Sequence, residues 1–267
     1  MSITSSKGTA VVTGASSGIG AIYADRLARR GYDLILVARN VARLQERAQR
    51  LAAETGRKVE VLAADLTKPA DLRAVEARLR EDAGITALVN NAGVGSATPL
   101  LEADVDAMDA MIQLNVTALT RLTHAAVPGM VRRGGGLVIN IASIVGIAPE
   151  LLNGTYGGTK AFVIAFTQSL YHELAGKGLR VQAVLPGATR TEFWDVAGVP
   201  VDNLPQEWVM PADEMVDASL AALDQGELIT IPALPDVADW RAYEAARQGL
   251  KPNLSHSTAA ARLKPAA

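Results

Sequence analysis

The chain has 267 residues, 49% of them hydrophobic, and a formal net charge of −2 with no block of like charge. That balance sets aside nucleic acid or a membrane surface as the main partner. Cysteine is absent, so disulfide and thiolate chemistry are excluded. The start, Met1 to Lys7, is polar, and no apolar run reaches membrane-spanning length; a cytoplasmic protein with no membrane partner is expected. The histidines His124, His172 and His256 have no metal-ligand spacing, so no metal site is expected.

The first apolar run, Thr9–Thr13, reads as a strand, and Ile22 to Arg30 has helical spacing. Between them lies Thr13-Gly14-Ala15-Ser16-Ser17-Gly18-Ile19-Gly20, a glycine turn at a strand-to-helix junction. Such a turn binds a dinucleotide pyrophosphate, because the first N–H groups of the helix are unpaired and carry partial positive charge. Glycine lets the backbone approach the phosphates with no Cβ in the way. The spacing is G-x-x-x-G-x-G, not the more familiar G-x-G-x-x-G.

Further short runs alternate with helical stretches: Asp33–Ala38, Val59–Ala63, Ala87–Asn90, Gly136–Ile141, Arg180–Leu185 and Leu228–Ile231. Leu34 to Val37 and Leu137 to Ile139 are continuously apolar, as strands covered on both faces are. The expected fold is α/β, Rossmann-type and doubly wound: seven strands, mainly parallel, with helices on both faces. With no repeat and no linker, residues 1–267 read as one domain, ending in a tail over 250–267. Ligands should gather beyond the carboxyl ends of the strands.

The second strand ends in Ala38-Arg39, where an NAD site normally carries an acidic residue. A guanidinium there can pair with a 2′-phosphate that a carboxylate would repel. NADP(H) is therefore expected over NAD(H), with Arg39 otherwise a solvated charge. Asp65-Leu66 closes the third strand; Asp65 either accepts from the adenine amino group or caps the helix that begins near Pro69. Asn90-Asn91-Ala92-Gly93 follows the fourth strand. Its two amides can cross-link neighbouring strand ends.

With these residues the chain resembles the short-chain dehydrogenase/reductase family, in the group of about this length. The glycine turn and the Asn90–Gly93 segment match its first two signatures. The resemblance spans roughly residues 9 to 192. It implies cofactor contacts at Gly14, Ser16, Ser17, Gly18, Ile19, Gly20, Arg39, Asp65, Leu66, Asn91, Ala92 and Gly93. It also implies a homodimer or homotetramer.

Ser143 closes the fifth strand, at the ligand edge of the sheet. Tyr156 and Lys160 follow as Y-x-x-x-K, one face of a helix. Reducing a ketone needs a hydride on carbon and a proton on oxygen. A phenol near pKa 10 is a poor acid–base group at neutral pH, and a nearby ammonium together with the positive nicotinamide ring of the oxidised cofactor lowers that pKa. Lys160 is expected to supply the ammonium, Tyr156 to exchange the proton and Ser143 to hold the carbonyl oxygen. The resemblance implies the same roles, with Lys160 also on the nicotinamide ribose. It adds Asn115 as a fourth catalytic position whose main chain distorts its helix; from the residues alone, Asn115 is equally a satisfied buried amide. Gly157 and Gly158 depart from the serine and alanine more usual in the family, allowing close packing or merely tolerated.

The helix continues Ala161 to Phe166, apolar nearly all round, so it is buried either by a second subunit or within the monomer. Pro186-Gly187 resembles the family loop that meets the nicotinamide carboxamide, with Thr191, or Thr189, as the following threonine. Residues 188–210 are irregular and include Phe193, Trp194 and Trp208. They read as a lid over an apolar substrate, or as a subunit contact. Val94, Ile144, Val145, Phe193 and Trp194 are the candidate substrate residues. The expected activity is NADP(H)-linked carbonyl/alcohol interconversion on a small molecule. The alternatives are a 3-oxoacyl-thioester reductase and a catalytically silent NADP-sensing protein.

Overall fold

Alternation of apolar side chains along short strands places two separate cores against one sheet. The computed structural model describes residues 6–264; most of the polar start and the last three residues of the tail lie outside the described residues. The chain divides into two compact units, one ending at Pro232 and one beginning at Ala233.

The first unit carries β1 (Thr9–Thr13), β2 (Asp33–Ala38), β3 (Val59–Ala63), β4 (Ile85–Asn90), β5 (Gly136–Ile141) and β6 (Leu179–Val184). Two short pieces, β7 (Thr189–Arg190) and β8 (Met210–Pro211), pair with each other, and β9 (Ile229–Thr230) completes the main sheet. The main sheet runs β3-β2-β1-β4-β5-β6-β9, with every pairing parallel. The expected seven-stranded Rossmann-type sheet is thus present. The β7–β8 ladder was not foreseen, because two-residue strands leave no periodicity to read.

Helices cover both faces: α1 (Gly18–Arg29), α2 (Val41–Thr55), α3 (Pro69–Glu81), α4 (Val105–Ile112), α5 (Leu119–Arg132), α6 (Gly154–Glu173), α7 (Phe193–Ala197) and α8 (Ala212–Asp224). On β1, Ala10 and Val12 pack into one core with Tyr23 and Leu27 of α1, Leu44 of α2 and Leu220 of α8. Val11, between them, points into the other, with Leu72 and Val75 of α3 and Leu122 and Met130 of α5. Each such side chain contributes roughly 1.5–3 kcal/mol by leaving water. β1 lies between β2 and β4, so strand order reverses there and a crevice opens beyond their carboxyl ends.

No described helix is long and apolar enough to cross a membrane. The second unit contains α9 (Val237–Gly249), whose N-terminus is capped by the Asp236 side chain accepting from the Ala238 N–H at 2.8 Å. One turn along it, the rings of Trp240 and Tyr243 lie 5.1 Å apart. From Leu250 the described residues are exposed, with two short 3₁₀ turns.

Candidate active site

The glycine turn joins β1 to α1 at the reversal point. Gly14 (φ +66°) and Gly18 (φ +51°) occupy the left-handed region that favours glycine. A Cβ on Gly20 would collide with the carbonyl of Gly14 and the amide of Asn91. Ser17 precedes α1 without a side-chain capping bond, which leaves the helix's leading N–H groups facing the crevice. An uncapped helix start beside a cradle that any Cβ would fill fits a pyrophosphate.

Asn91 stitches this turn to β4. Its side-chain amide donates to the carbonyls of Thr13 (2.9 Å) and Gly14 (3.3 Å). The Thr13 hydroxyl accepts the N–H groups of Asn91 and Ala92, at 2.9 and 3.0 Å. Asn90 donates to Asn140 on β5 and Thr123 on α5, both at 2.9 Å. The amides thus do cross-link neighbouring strand ends.

Arg39 is exposed and has no ion-pair partner within 4 Å among the described residues. Asp65 accepts from the Thr67 hydroxyl and N–H, at 2.7 and 3.1 Å. Those bonds hold its carboxyl below the usual range, helped by the charges of Arg39 and Lys68. Asp65 does not cap α3, whose preceding residue is Lys68; of the two readings of Asp65, capping is eliminated. Leu66 is buried in the core.

Asn115, Ser143, Tyr156 and Lys160 are all buried. Asn115 sits in a single π-helical stretch, Gln113–Ala118, between α4 and α5. Such turns bend a helix and free backbone groups. Its side chain accepts from Val94 N–H (3.0 Å) and donates to the Val94 carbonyl (2.8 Å) and Thr159 hydroxyl (3.1 Å). The two readings of Asn115, satisfied amide and distorted helix, therefore hold together. Tyr156 is aimed by the start of α6: the buried Asn153 side chain accepts from the N–H groups of Thr155 and Tyr156 and donates to the Thr98 carbonyl. Lys160 Nζ donates to the Ile141 carbonyl at the end of β5 (2.9 Å) and lies 5.8 Å from the Tyr156 ring centroid. Gly157 packs closely on Pro149, whereas Gly158 faces open space.

Burial pushes the Tyr156 phenol up to about 12, with the Ser143 hydroxyl pulling the other way. Burial also lowers the Lys160 amine to about 8. The phenol of the protein alone is thus raised, because desolvation outweighs the Ser143 hydrogen bond; the expected lowering counted the positive nicotinamide ring as well as Lys160. A stability signature follows. Between pH 8 and the 10.5 of an unperturbed lysine, the unfolded chain binds a proton that the folded chain does not, so stability rises with pH. Below pH 8 the cost of the buried ammonium is present in full. Urea unfolding from pH 8 to 10 should stabilise the wild type more than Lys160→Met, by up to about 3 kcal/mol. Parallel curves would refute this.

Segment 188–210 borders the crevice through Thr191 and Phe193. The Met210 N–H donates to the Ala188 carbonyl (2.9 Å), and the β7–β8 ladder joins the two ends. The Thr191 methyl lies against Gly18, and a Cβ there would meet it at 3.2 Å. Arg43 of α2 pairs with Glu192 at 2.7 Å. The Phe193 ring lies 5.8 Å from the Tyr156 ring and fills the space a Cβ on Gly95 would need. Trp194 turns inward, its indole N–H donating to the Thr189 carbonyl (2.9 Å), and Trp208 is 68% exposed. Phe193 is therefore the aromatic whose ring borders Tyr156. Pro186 accepts from the Ile144 N–H and the Ser143 hydroxyl. Ile144 lies beside Gly187. Thr189 is buried, its hydroxyl on the Gly187 carbonyl.

Val145, Val94 and Phe193 pack around Tyr156 together with Met111 and Leu152. The last two were missed, although Met111 stands one helical turn before Asn115. The Arg43–Glu192 pair was also missed, since nothing local marks it.

A family model described as short chain dehydrogenase matches residues 8–198. A short-chain dehydrogenase from Sphingobium yanoikuyae, solved in complex with NADPH, is 52% identical. That match covers 96% of this chain and 100% of the other, with a TM-score of 0.93. The bulky-bulky ketone specific alcohol dehydrogenase from Comamonas testosteroni is 45% identical over 97% of this chain and 99% of the other, TM-score 0.89. A very-long-chain 3-oxoacyl-CoA reductase from Anas platyrhynchos is 34% identical over 209 residues, 76% of this chain and 67% of that protein.

Proposed function

Because this chain belongs to the short-chain dehydrogenase family, we propose that it is an NADP(H)-linked oxidoreductase interconverting a ketone and an alcohol. One observation carries the reading. Tyr156, Lys160 and Ser143 come from two elements yet meet at the carboxyl edge of the sheet, beside the glycine turn. The nicotinamide cofactor would supply or accept the hydride. It would be held by the glycine turn, Arg39, Asp65, Asn91 to Gly93, Lys160 and the 186–191 loop.

In reduction, Tyr156 gives its phenolic proton to the substrate oxygen while Ser143 donates a hydrogen bond to the same oxygen. Burial holds the phenol near 12, so its release of a proton depends on positive charge close by. Lys160, when protonated, supplies part of that charge. Asn115 holds Val94 and Thr159 in place around the amine. Phe193 shields the phenol from water, and residues 188–210 act as a lid. The apolar wall of Met111, Val145, Leu152 and Phe193 suits a bulky, apolar ketone, and the likeness to the Comamonas enzyme points the same way. The outward face of α6, with Phe162 exposed and stacked on Phe166 at 5.7 Å, suits a second copy, which sedimentation tests.

Following NADPH absorbance across aliphatic, aromatic and cyclic ketones tests the reaction, and turnover of none would overturn it. Including 3-oxoacyl thioesters tests the second reading, which the 3-oxoacyl-CoA reductase relative favours. With no ion-pair partner within 4 Å among the described residues, Arg39 suits a 2′-phosphate. kcat/KM should favour NADPH over NADH, and Arg39→Ala should cut that preference about tenfold or more. Equal or better use of NADH by the wild type would rule the preference out.

A further inference from the structure

Between the glycine turn and α2 lies a polar recess whose α2 side has no part in the reading above. It has a volume of about 290 Å³ and is lined by Ser16, Ser17, Gly18, Arg43, Arg47 and Glu192, among others. Arg43 and Arg47 stand one turn apart on α2, so both guanidinium groups face the turn. Arg47 reaches the Ser16 carbonyl at 3.4 Å, and its buried Nε has no hydrogen-bond partner. Arg43 is one turn beyond Arg39 and is the cation here that a distant carboxylate already holds: Glu192, 149 residues later, contacts it at 2.7 Å. Glu192 sits between Thr191, which lies on Gly18, and Phe193, which lies on Tyr156. One carboxylate therefore ties the segment over the phenol to the basic recess beside the phosphate turn.

We propose that Glu192 is a built-in competitor for the 2′-phosphate of NADP(H): its carboxylate holds Arg43 until that phosphate takes the guanidinium, and the exchange releases segment 188–210 from α2. The exchange is favourable because an exposed ion pair contributes only a little, whereas a phosphate carries more charge and takes a guanidinium bidentately. A cofactor without the phosphate leaves the pair intact. Arg43 and Glu192 are then specificity-determining residues, and occupancy of the phosphate site is coupled to the segment that borders Tyr156. By linkage the coupling is reciprocal. The inference rests on the NADP(H) reading above.

The test needs no turnover. Adenosine 2′,5′-bisphosphate and adenosine 5′-monophosphate are titrated calorimetrically into wild type, Arg43→Ala, Glu192→Gln and Arg39→Ala. Amide hydrogen exchange over 188–210 is followed with each ligand. The wild type should bind the bisphosphate more tightly, and only that ligand should speed exchange around Glu192. Glu192→Gln should bind the bisphosphate about two- to fivefold tighter, with exchange already fast. Arg43→Ala should lose about tenfold in preference for the bisphosphate. Unchanged preference in both variants, while Arg39→Ala abolishes it, overturns this inference and leaves the NADP(H) reading standing. A wild type that does not distinguish the two ligands overturns both.

Discussion

Tyr156→Phe is expected to lower kcat for ketone reduction about a thousandfold, the usual scale for losing a positioned acid–base group. The variant keeps the ring that packs on Phe193, Val145 and Met111 and removes only the oxygen that gives up the proton. Folding should survive, because the lost oxygen is buried and its removal strands no charged group. NADPH affinity, measured by fluorescence titration, should stay within a few-fold of the wild type. Turnover at the wild-type rate would remove Tyr156 from the reaction. Loss of binding together with turnover would recast it as a structural residue. A silent cofactor-sensing protein would show neither a starting activity nor a difference.

Gly20→Ala should fail at an earlier stage. The new methyl would press on the carbonyl of Gly14 and the side-chain amide of Asn91, the same amide that holds the turn to β4. Forcing a methyl into a fully packed site costs roughly 1–3 kcal/mol or more. Here the strain falls on the phosphate cradle, so NADPH affinity should drop about a hundredfold. Gly158→Ala is the matched control. Nothing lies within 4 Å of its would-be Cβ, and alanine should add about 1 kcal/mol of helix stability. Equal NADPH affinity in both variants and wild type would show that the turn is not the cofactor cradle.

The parts that were legible in the sequence are local. The glycine turn, the apolar strands and the Tyr156–Lys160 spacing each depend on residues within a few positions, so pattern and chemistry agree. Their meeting at one sheet edge followed from the parallel order alone. What escaped reading depends on distant partners. Nothing near Arg43 announces Glu192, and nothing near Phe193 says that it, and not Trp194, will meet Tyr156. The raised Tyr156 phenol was not foreseen for a similar reason: a nearby lysine is visible in sequence, whereas the depth of burial comes from the whole packed shell. Asp65 shows the opposite case, where two open readings were narrowed by one side-chain turn to Thr67.

The two ends of segment 188–210 meet in a two-residue ladder at Thr189 and Met210. What lies between is therefore a closed cassette with a fixed socket. Its content is bounded by that socket and by the contacts it makes with Gly18, Gly95 and Arg43. On the lid reading proposed above, substrate range is open to change through this one excursion of chain, while the phenol and amine beneath it stay where they are.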